Sequence, residues 1–518
     1  MEAAIPARAS RKEWVGLGVI ALPCMLYSMD LTVLNLAIPQ LTAELRPSSA
    51  QMLWIVDIYG FLVAGFLITM GTLGDRIGRR RLLMTGATAF GLTSIFAAFA
   101  TSPGMLILAR ALLGIAAATL APSTLSLIRN MFHDPRQRVV AISVWITSFS
   151  AGAAIGPLIG GALLEYFWWG SVFLIAVPFM VLLLVLAPLL LPEFKDPGAG
   201  RIDAASVILS LFAVLAAIYG LKHIAQSGPD LEAAAAVALG IGLGWAFVRR
   251  QASLADPLID LRLFRLRAFN AALATNHLAF LVMFSSFLYI AQYLQLVLGQ
   301  SPIVAGLWSL PSAFAFIAGS VVAPSIVRRH APVRVMTVGL LAAAAGFAIL
   351  ACVRGPHALA LLVVGSVVMS FGMTPVVTLT TDMVVGAAPP ERAGAAASLS
   401  ETSTEFGGAL GIAVFGSIGT FLYRSRIEAA LPAGLDADTT DRMRDTLGGA
   451  VAATREMAEP LGPTLLESAR AAFNLGFQVT MALSVAVLAG TAVVAATMLG
   501  RAGRPPAQEA TMPGGGRQ

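Results

Sequence analysis

The sequence predicts an all-α membrane protein of fourteen transmembrane helices, ordered as six, two and six. Three observations predict it. The 518 residues are 57% hydrophobic and 12% charged, with a mean hydropathy of +0.81, far from the balance of a water-soluble domain. Apolar runs of about 18 to 25 residues follow one another, each long enough to cross a hydrocarbon core of ~30 Å. The basic residues gather in alternate breaks between the runs.

The first run, 14–38, is too long for a signal-peptide core and has no small-residue cleavage site after it, so it reads as a retained span. Spans at 52–72, 82–100, 105–128, 139–163 and 170–191 complete an N-terminal bundle over 1–192. The polar break from Pro192 to Asp203 opens an inserted region, 193–267, which holds spans 205–223 and 232–248. A basic break from Arg249 to Arg267 precedes 268–296, 304–326, 333–353, 358–384, 395–422 and 474–499, a C-terminal bundle over 268–500. If the N-terminus is cytoplasmic, the cytoplasmic segments hold 24 of the 34 Lys and Arg. That bias places both ends in the cytoplasm of a multi-pass protein of the cell (inner) membrane.

The segment 423–473 carries six Arg against eight Asp and Glu and is too polar to span. Its stretches 439–451 and 464–472 suit short amphipathic helices on the outer face. The tail 501–518 reads as disordered. Gly71 to Arg81 and Gly319 to His330 each place a glycine nine residues before an Arg-Arg pair, which points to an internal duplication.

Several function classes find no support. Cys24 and Cys352 lie in separate apolar runs and read as packing residues, so neither a disulfide framework nor a metal site is expected. The isoelectric point near 9.7 comes from span ends, not from a nucleic-acid-binding patch. There is no HExxH, GxSxG or GxxxxGK[ST], hence no signature of a zinc peptidase, a serine hydrolase or an ATP-driven pump, and no cofactor is expected.

The informative residues are ionisable groups inside the runs. A charged aspartate at the centre of a membrane helix costs roughly 2.5 to 3.5 kcal/mol. Asp30 must therefore take a proton or face a cation. Asp57 and Arg110 fall at comparable outer depth, so one guanidinium is expected to serve two carboxylates and release one or both as the molecule opens. Glu401 and Glu405 stand one turn apart on one face, too close to ionise together cheaply, and one is expected to hold a proton near neutrality. Asp382 reads as interfacial and His277, beside Asn276, as a packing residue.

In the loop from Gly71 to Arg81, Asp75 suits an inner latch that accepts from a helix N-terminus or an arginine. Arg76, Arg79 and Arg80 belong to that latch, Arg79, Arg80 and Arg81 reading alternatively as positive-inside anchors, and Gly71, Gly74 and Gly78 tighten the turn. On the fifth span Gly152, Gly156 and Gly160 recur every fourth residue, giving a face that another helix can approach closely. With Gly161 and Pro157 they suit a hinge or a seam between bundles. Met25, Tyr59, Trp145, Phe149, Phe284, Tyr289 and Trp308 suit the lining of a cavity for a flat lipophilic cation.

Met29 to Pro39, Gly71 to Arg81, Arg110 with Gly114, and Gly152 to Gly161 together resemble the major facilitator superfamily. More narrowly they resemble its fourteen-span drug:proton antiporter-2 family, exporters of quaternary ammonium compounds and dyes. Phe167 to Pro178 is similar to that group as well. The glycine-proline run resembles the antiporter signature that uptake members usually lack, and acids also stand at the positions of Glu401 and Glu405 in the quaternary-ammonium exporters. Two departures stand out. Leu113 replaces a frequent glutamine, and 304–326 lacks the acid that some relatives carry in connection with divalent drugs. The resemblance implies a multidrug exporter of mainly monovalent lipophilic cations, such as ethidium, working by alternating access. Asp30, Asp57, Glu401 and Glu405 would exchange proton for drug, Arg110 would relay charge, and the protein is expected to be a monomer in the bilayer. Proton-coupled export or import of an endogenous metabolite remains the alternative.

Overall fold

The computed structural model describes residues 8–47, 49–196, 203–228, 230–255, 257–432, 435–455, 457 and 460–502. The expected disorder of 501–518 lies, beyond Ala502, outside the described residues. Among them there is no strand. The first helices are α1 (Arg11–Leu45), α2 (Ser49–Ile77), α3 (Arg79–Ala98), α4 (Pro103–Ala117), α5 (Leu120–Met131), α6 (Pro135–Tyr166), α7 (Ser171–Leu174) and α8 (Ala176–Leu190). Next come α9 (Ala204–Ser227) and α10 (Leu231–Ser253). The remainder are α11 (Arg267–Gln292), α12 (Pro302–Val327), α13 (Pro332–Ala351), α14 (Ala358–Ala387), α15 (Ala393–Glu428), α16 (Ala437–Asp445), α17 (Leu447–Arg455) and α18 (Leu461–Ala502).

Twelve helical segments among the described residues are long and apolar enough to cross a membrane. The fourteen runs of the sequence also include α1 and α6, which carry side chains outside the described set.

Two expected single spans are each broken once, and proline accounts for both breaks. Pro122 has no N–H for the Ala118 carbonyl four residues back, and the chain turns at 118–119 between α4 and α5. Pro178 does the same to Leu174, where α7 ends.

Helices α1 to α8 pack chiefly among themselves, with α6 along α1 and α3 along α4 and α8. Helices α11 to α18 do likewise through α11–α15, α13–α14 and α13–α18. Helices α9 and α10 pair with each other, and α9 also touches α2 and α15. The seam between the first and last groups runs along α2–α15, α5–α15 and α6–α12.

The polar segment after α15 differs from its expected form. Helix α15 continues to Glu428, and 464–472 is no separate helix but the opening of α18, a 42-residue helix about 63 Å long. The stretch 439–451 is divided at Thr446 between α16 and α17. These short helices are packed against the long ones. The Tyr423 hydroxyl donates to the Met443 carbonyl at 2.8 Å, Arg444 pairs with Glu428 at 2.7 Å, and Ile427, Met443, Leu447 and Leu465 are buried.

Candidate functional site

Two polar sites lie on the seam. The first sits at its arginine-rich end. Asp75, in the last turn of α2, accepts from the backbone N–H of Gly394 at 3.0 Å and of Ala395 at 2.9 Å, the first turn of α15. Arg79, at the start of α3, donates Nε to the same carboxylate at 2.8 Å. Its Nη2 donates to the carbonyls of Pro390 at 2.7 Å and Glu391 at 3.0 Å. Asp75 and Arg79 are almost completely buried. A carboxylate on the unpaired amides of a helix N-terminus is a favourable arrangement, and here it joins the two sides of the seam.

The glycines of this loop act differently from expectation. Gly71 and Gly74 are inside α2, not in a turn. A Cβ on Gly71 would stand 2.5 Å from the Gly394 carbonyl and 2.6 Å from Ser398 Cβ, so its bareness lets α15 approach. Only Gly78 makes the turn, with φ of +112°, a conformation that disfavours side chains. Arg80 does not join the contact across the seam. It donates to the Leu191 carbonyl at 2.9 Å and lies 3.8 Å from Glu193, which also caps α3 through the amides of Arg80 and Arg81. Arg76 ends α2 beside them.

Farther along the seam, Arg138 on α6 pairs with Asp382 on α14 at 2.5 Å. Thr147 of α6 and Ser320 of α12 bond to each other farther up.

The second site lies at mid-seam. Arg110 of α4 donates to Asp30 of α1 at 2.5 Å and to the Ile55 carbonyl at 3.2 Å. Its guanidinium lies 4.4 Å from the centroid of the Tyr59 ring. Asp57 corrects the expectation of one cation serving two acids, since its partner is Lys222 on α9, at 2.5 Å. The physical reason is packing: α9 lies directly on α2, and a lysine near its end is closer to hand than a guanidinium committed to Asp30.

Across from these groups, α15 carries Glu401 and Glu405, eight and twelve residues from its start and so about 12 and 18 Å into the helix. The Tyr27 hydroxyl donates to Glu405 at 3.3 Å. Tyr27 also packs at 6.1 Å on Tyr59 and edge-on at 5.7 Å on Phe149, which meets Trp145 at 4.8 Å. The Tyr59 hydroxyl is buried without a hydrogen-bond partner. Two acids, a fixed guanidinium and a group of rings thus converge from α1, α2, α4, α6 and α15.

Not every expected lining residue joins them. Trp308 is 41% exposed on α12. Tyr289 donates to the Phe415 carbonyl at 2.9 Å and stacks near Phe473, inside the last group of helices. Phe284 packs against Phe280 and Gly408, and Met25 presents its carbonyl to Gly152. His277 lies against the Ser403 carbonyl at 3.0 Å, as a packing residue would.

The glycine face of α6 is turned toward α1, within its own group of helices, and not toward the seam. Cβ atoms at Gly152 and Gly160 would collide with Met25 and Val33. Gly156 is buried between them, and Gly161 faces open space. Pro157 lies within α6, and its side chain is outside the described residues.

Two members of the site escape the sequence reading. Lys222 leaves one signal, a lone cation at the poorly charged end of an apolar run. Tyr27 leaves none beyond its place one turn before Asp30.

The sequence profile of the Major Facilitator Superfamily matches residues 20–412. The multidrug efflux pump LfrA of Mycolicibacterium smegmatis is 42% identical over 94% of this chain and 96% of its own. The methyl viologen resistance protein SmvA of Salmonella typhimurium is 34% identical over 92% and 96%. Among solved structures, the E. coli fucose:proton symporter FucP in its outward conformation aligns at a TM-score of 0.58, with 14% identity over 94% of this chain and 99% of FucP. A bacterial homologue of the lysosomal transporter Spinster, inward-facing, aligns at 0.56 with 17% identity over 96% and 100%.

Proposed function

Because this chain belongs to the major facilitator superfamily, we propose that it is a proton-coupled multidrug antiporter exporting lipophilic, mainly monovalent cations. Relatives named for multidrug efflux and for methyl viologen resistance support drug export. One observation carries the coupling. Acids from both sides of the seam, Asp30 and Glu405, flank a shared group of rings, Tyr27 and Tyr59 among them. A flat organic cation has there both a carboxylate and an aromatic face. A proton and the drug cation compete for the same carboxylates, so protons arriving from outside release the drug.

In this reading α1 and α6 also cross the membrane, giving fourteen spans. The bundles cover 1–192 and 268–500, the inserted pair 193–267, and the tail 501–518. The arginine-rich end faces the cytoplasm of the cell membrane, with both termini on that side, and the protein works as a monomer. Asp75 and Arg79 hold the cytoplasmic end shut, and Arg138 with Asp382 reinforces them. Arg110 balances the charge of Asp30 and releases it as the halves rock, and Asp57, Glu401 and Glu405 share the coupling with Asp30. Helix α12 contains no acid, which favours monocations. Exchanging one monocation for one proton moves no net charge, whereas a neutral substrate would gain about 2.3 kcal/mol per 100 mV per proton.

Everted vesicles containing the protein provide the test. Ethidium should accumulate when the lumen is made acidic, without ATP. No accumulation would favour an endogenous metabolite as substrate, and dependence on ATP would rule out the antiporter.

A further inference from the structure

Helix α9 reaches the functional site. Val214, Leu215 and Ile218 fill the corner between Phe61 and Ala64 of α2 and Phe406 and Ala409 of α15. Those two helices carry Asp57 and Glu405. From this corner Lys222 sends its ammonium to Asp57 at 2.5 Å and over the Phe61 ring, 4.7 Å from the centroid. Neither partner of the pair is sealed, the side chains being 34% and 20% exposed.

Carboxylate and aromatic face are what a lipophilic organic cation requires. A lysine offers them a compact charge on a stem of four rotatable bonds, able to withdraw where a forked guanidinium would be held. Two other polar groups near this end of α9, among the described side chains, are engaged elsewhere. His223 is 2.9 Å from Asp230, and Tyr219 donates to Glu232 at 2.7 Å. The acid facing Lys222 is therefore Asp57 from α2.

We propose that Lys222 is a tethered stand-in for the transported cation: it neutralises Asp57 in the empty site and is displaced when a lipophilic monocation binds there. This rests on the cation site of the proposed function. The inserted helix pair thereby sets affinity, and a neutral ligand gains nothing from displacing the ammonium.

The experiment measures ethidium binding by fluorescence to the purified full-length protein at one pH. Lys222→Gln should bind on the order of tenfold more tightly, and Lys222→Arg should stay closer to wild type. In a Cys352→Ser background, Lys222→Cys should behave as the glutamine variant. Aminoethyl methanethiosulfonate, which restores an ammonium through a disulfide, should return wild-type affinity, while the neutral methyl reagent should not. Cys24 is buried and is spared. Equal or weaker binding by Lys222→Gln, beside a wild type that binds, overturns this inference alone and makes the pair a structural ion pair. A wild type that binds no ethidium overturns the proposed function and this inference together.

Discussion

The two polar sites on the seam differ in what their side chains bond to. At the arginine-rich end, Asp75 and Arg79 reach across to backbone atoms: the amides of Gly394 and Ala395 and the carbonyls of Pro390 and Glu391. At mid-seam the acids are held by other side chains, Arg110, Lys222 and Tyr27. Backbone partners are fixed by the helix that carries them, and no ligand can take their place. Side-chain partners can swing away and yield to a ligand charge. A contact that must only open and close suits the first kind, and a site that must trade occupants suits the second.

The largest expected effect breaks the mid-seam site. Asp30→Asn should abolish ethidium transport while leaving elution and thermal unfolding of the purified protein close to wild type, because the amide still accepts from Arg110. Full transport by this variant would move the coupling role to Glu405. Next comes the fixed site. Gly394→Ala would place a Cβ 2.5 Å from both Asp75 Oδ1 and the Gly71 carbonyl, prying α2 from α15. Transport should fall about tenfold, the loss expected when one or two charge-assisted hydrogen bonds are disturbed. Cysteines placed at the arginine-rich end should become more reactive, and unchanged reactivity would remove the latch role.

The pair Arg138–Asp382 sharpens the comparison, being a side-chain contact at the fixed end. Arg138→Gln and Asp382→Asn should each lower transport a few-fold, and the double variant no further than the worse single one, as for partners in one contact. Additive losses would mean that the two residues act separately. The smallest effect is expected far from the seam. Asp203 accepts two bonds from Arg250 and caps α9 through Ser206. The Arg250 bonds, followed by the Ser206 side chain, hold its carboxyl well below the usual carboxylate range. A depressed value in the folded state means that the stabilisation is complete above the unfolded value of about 3.9 and is lost as the pH falls through the folded value. Asp203→Asn should therefore lower the melting temperature slightly and equally from pH 5 to 8, with the difference shrinking only below about pH 4. A difference that varies within pH 5 to 8 would refute this assignment.

The contact made by Asp75 was legible in the sequence because its chemistry is local: an acid at the end of an apolar run and an arginine four residues later leave few partners other than helix ends. The intramembrane acids were legible for the same reason, since charge in oil needs a purpose. Pairings across the chain were not. Arg138 and Asp382 stand 244 positions apart, and no periodicity in either helix names the other. Lys222 looked like an ordinary span end because nothing in 205–223 says that α9 lies against α2. The glycines of α6 announced a close neighbour without identifying it as α1. The ends of α15 and α18 were set too short because hydropathy marks where lipid stops, whereas a helix continues as long as its backbone bonds and packing allow.

Helix α15 is unbroken from Ala393 to Glu428. It therefore strings together, on one rod, the amides that Asp75 grips, both glutamates and the tyrosine that anchors the polar cap formed by α16 and α17. Ala395 and Tyr423 are about 42 Å apart along it, with Glu405 nearer the gripped end. A tilt of about 5° pivoting near Glu405 swings the Tyr423 end by about 2 Å. The cap is then a pointer on a lever, and a spectroscopic label there would read out the state of the far end.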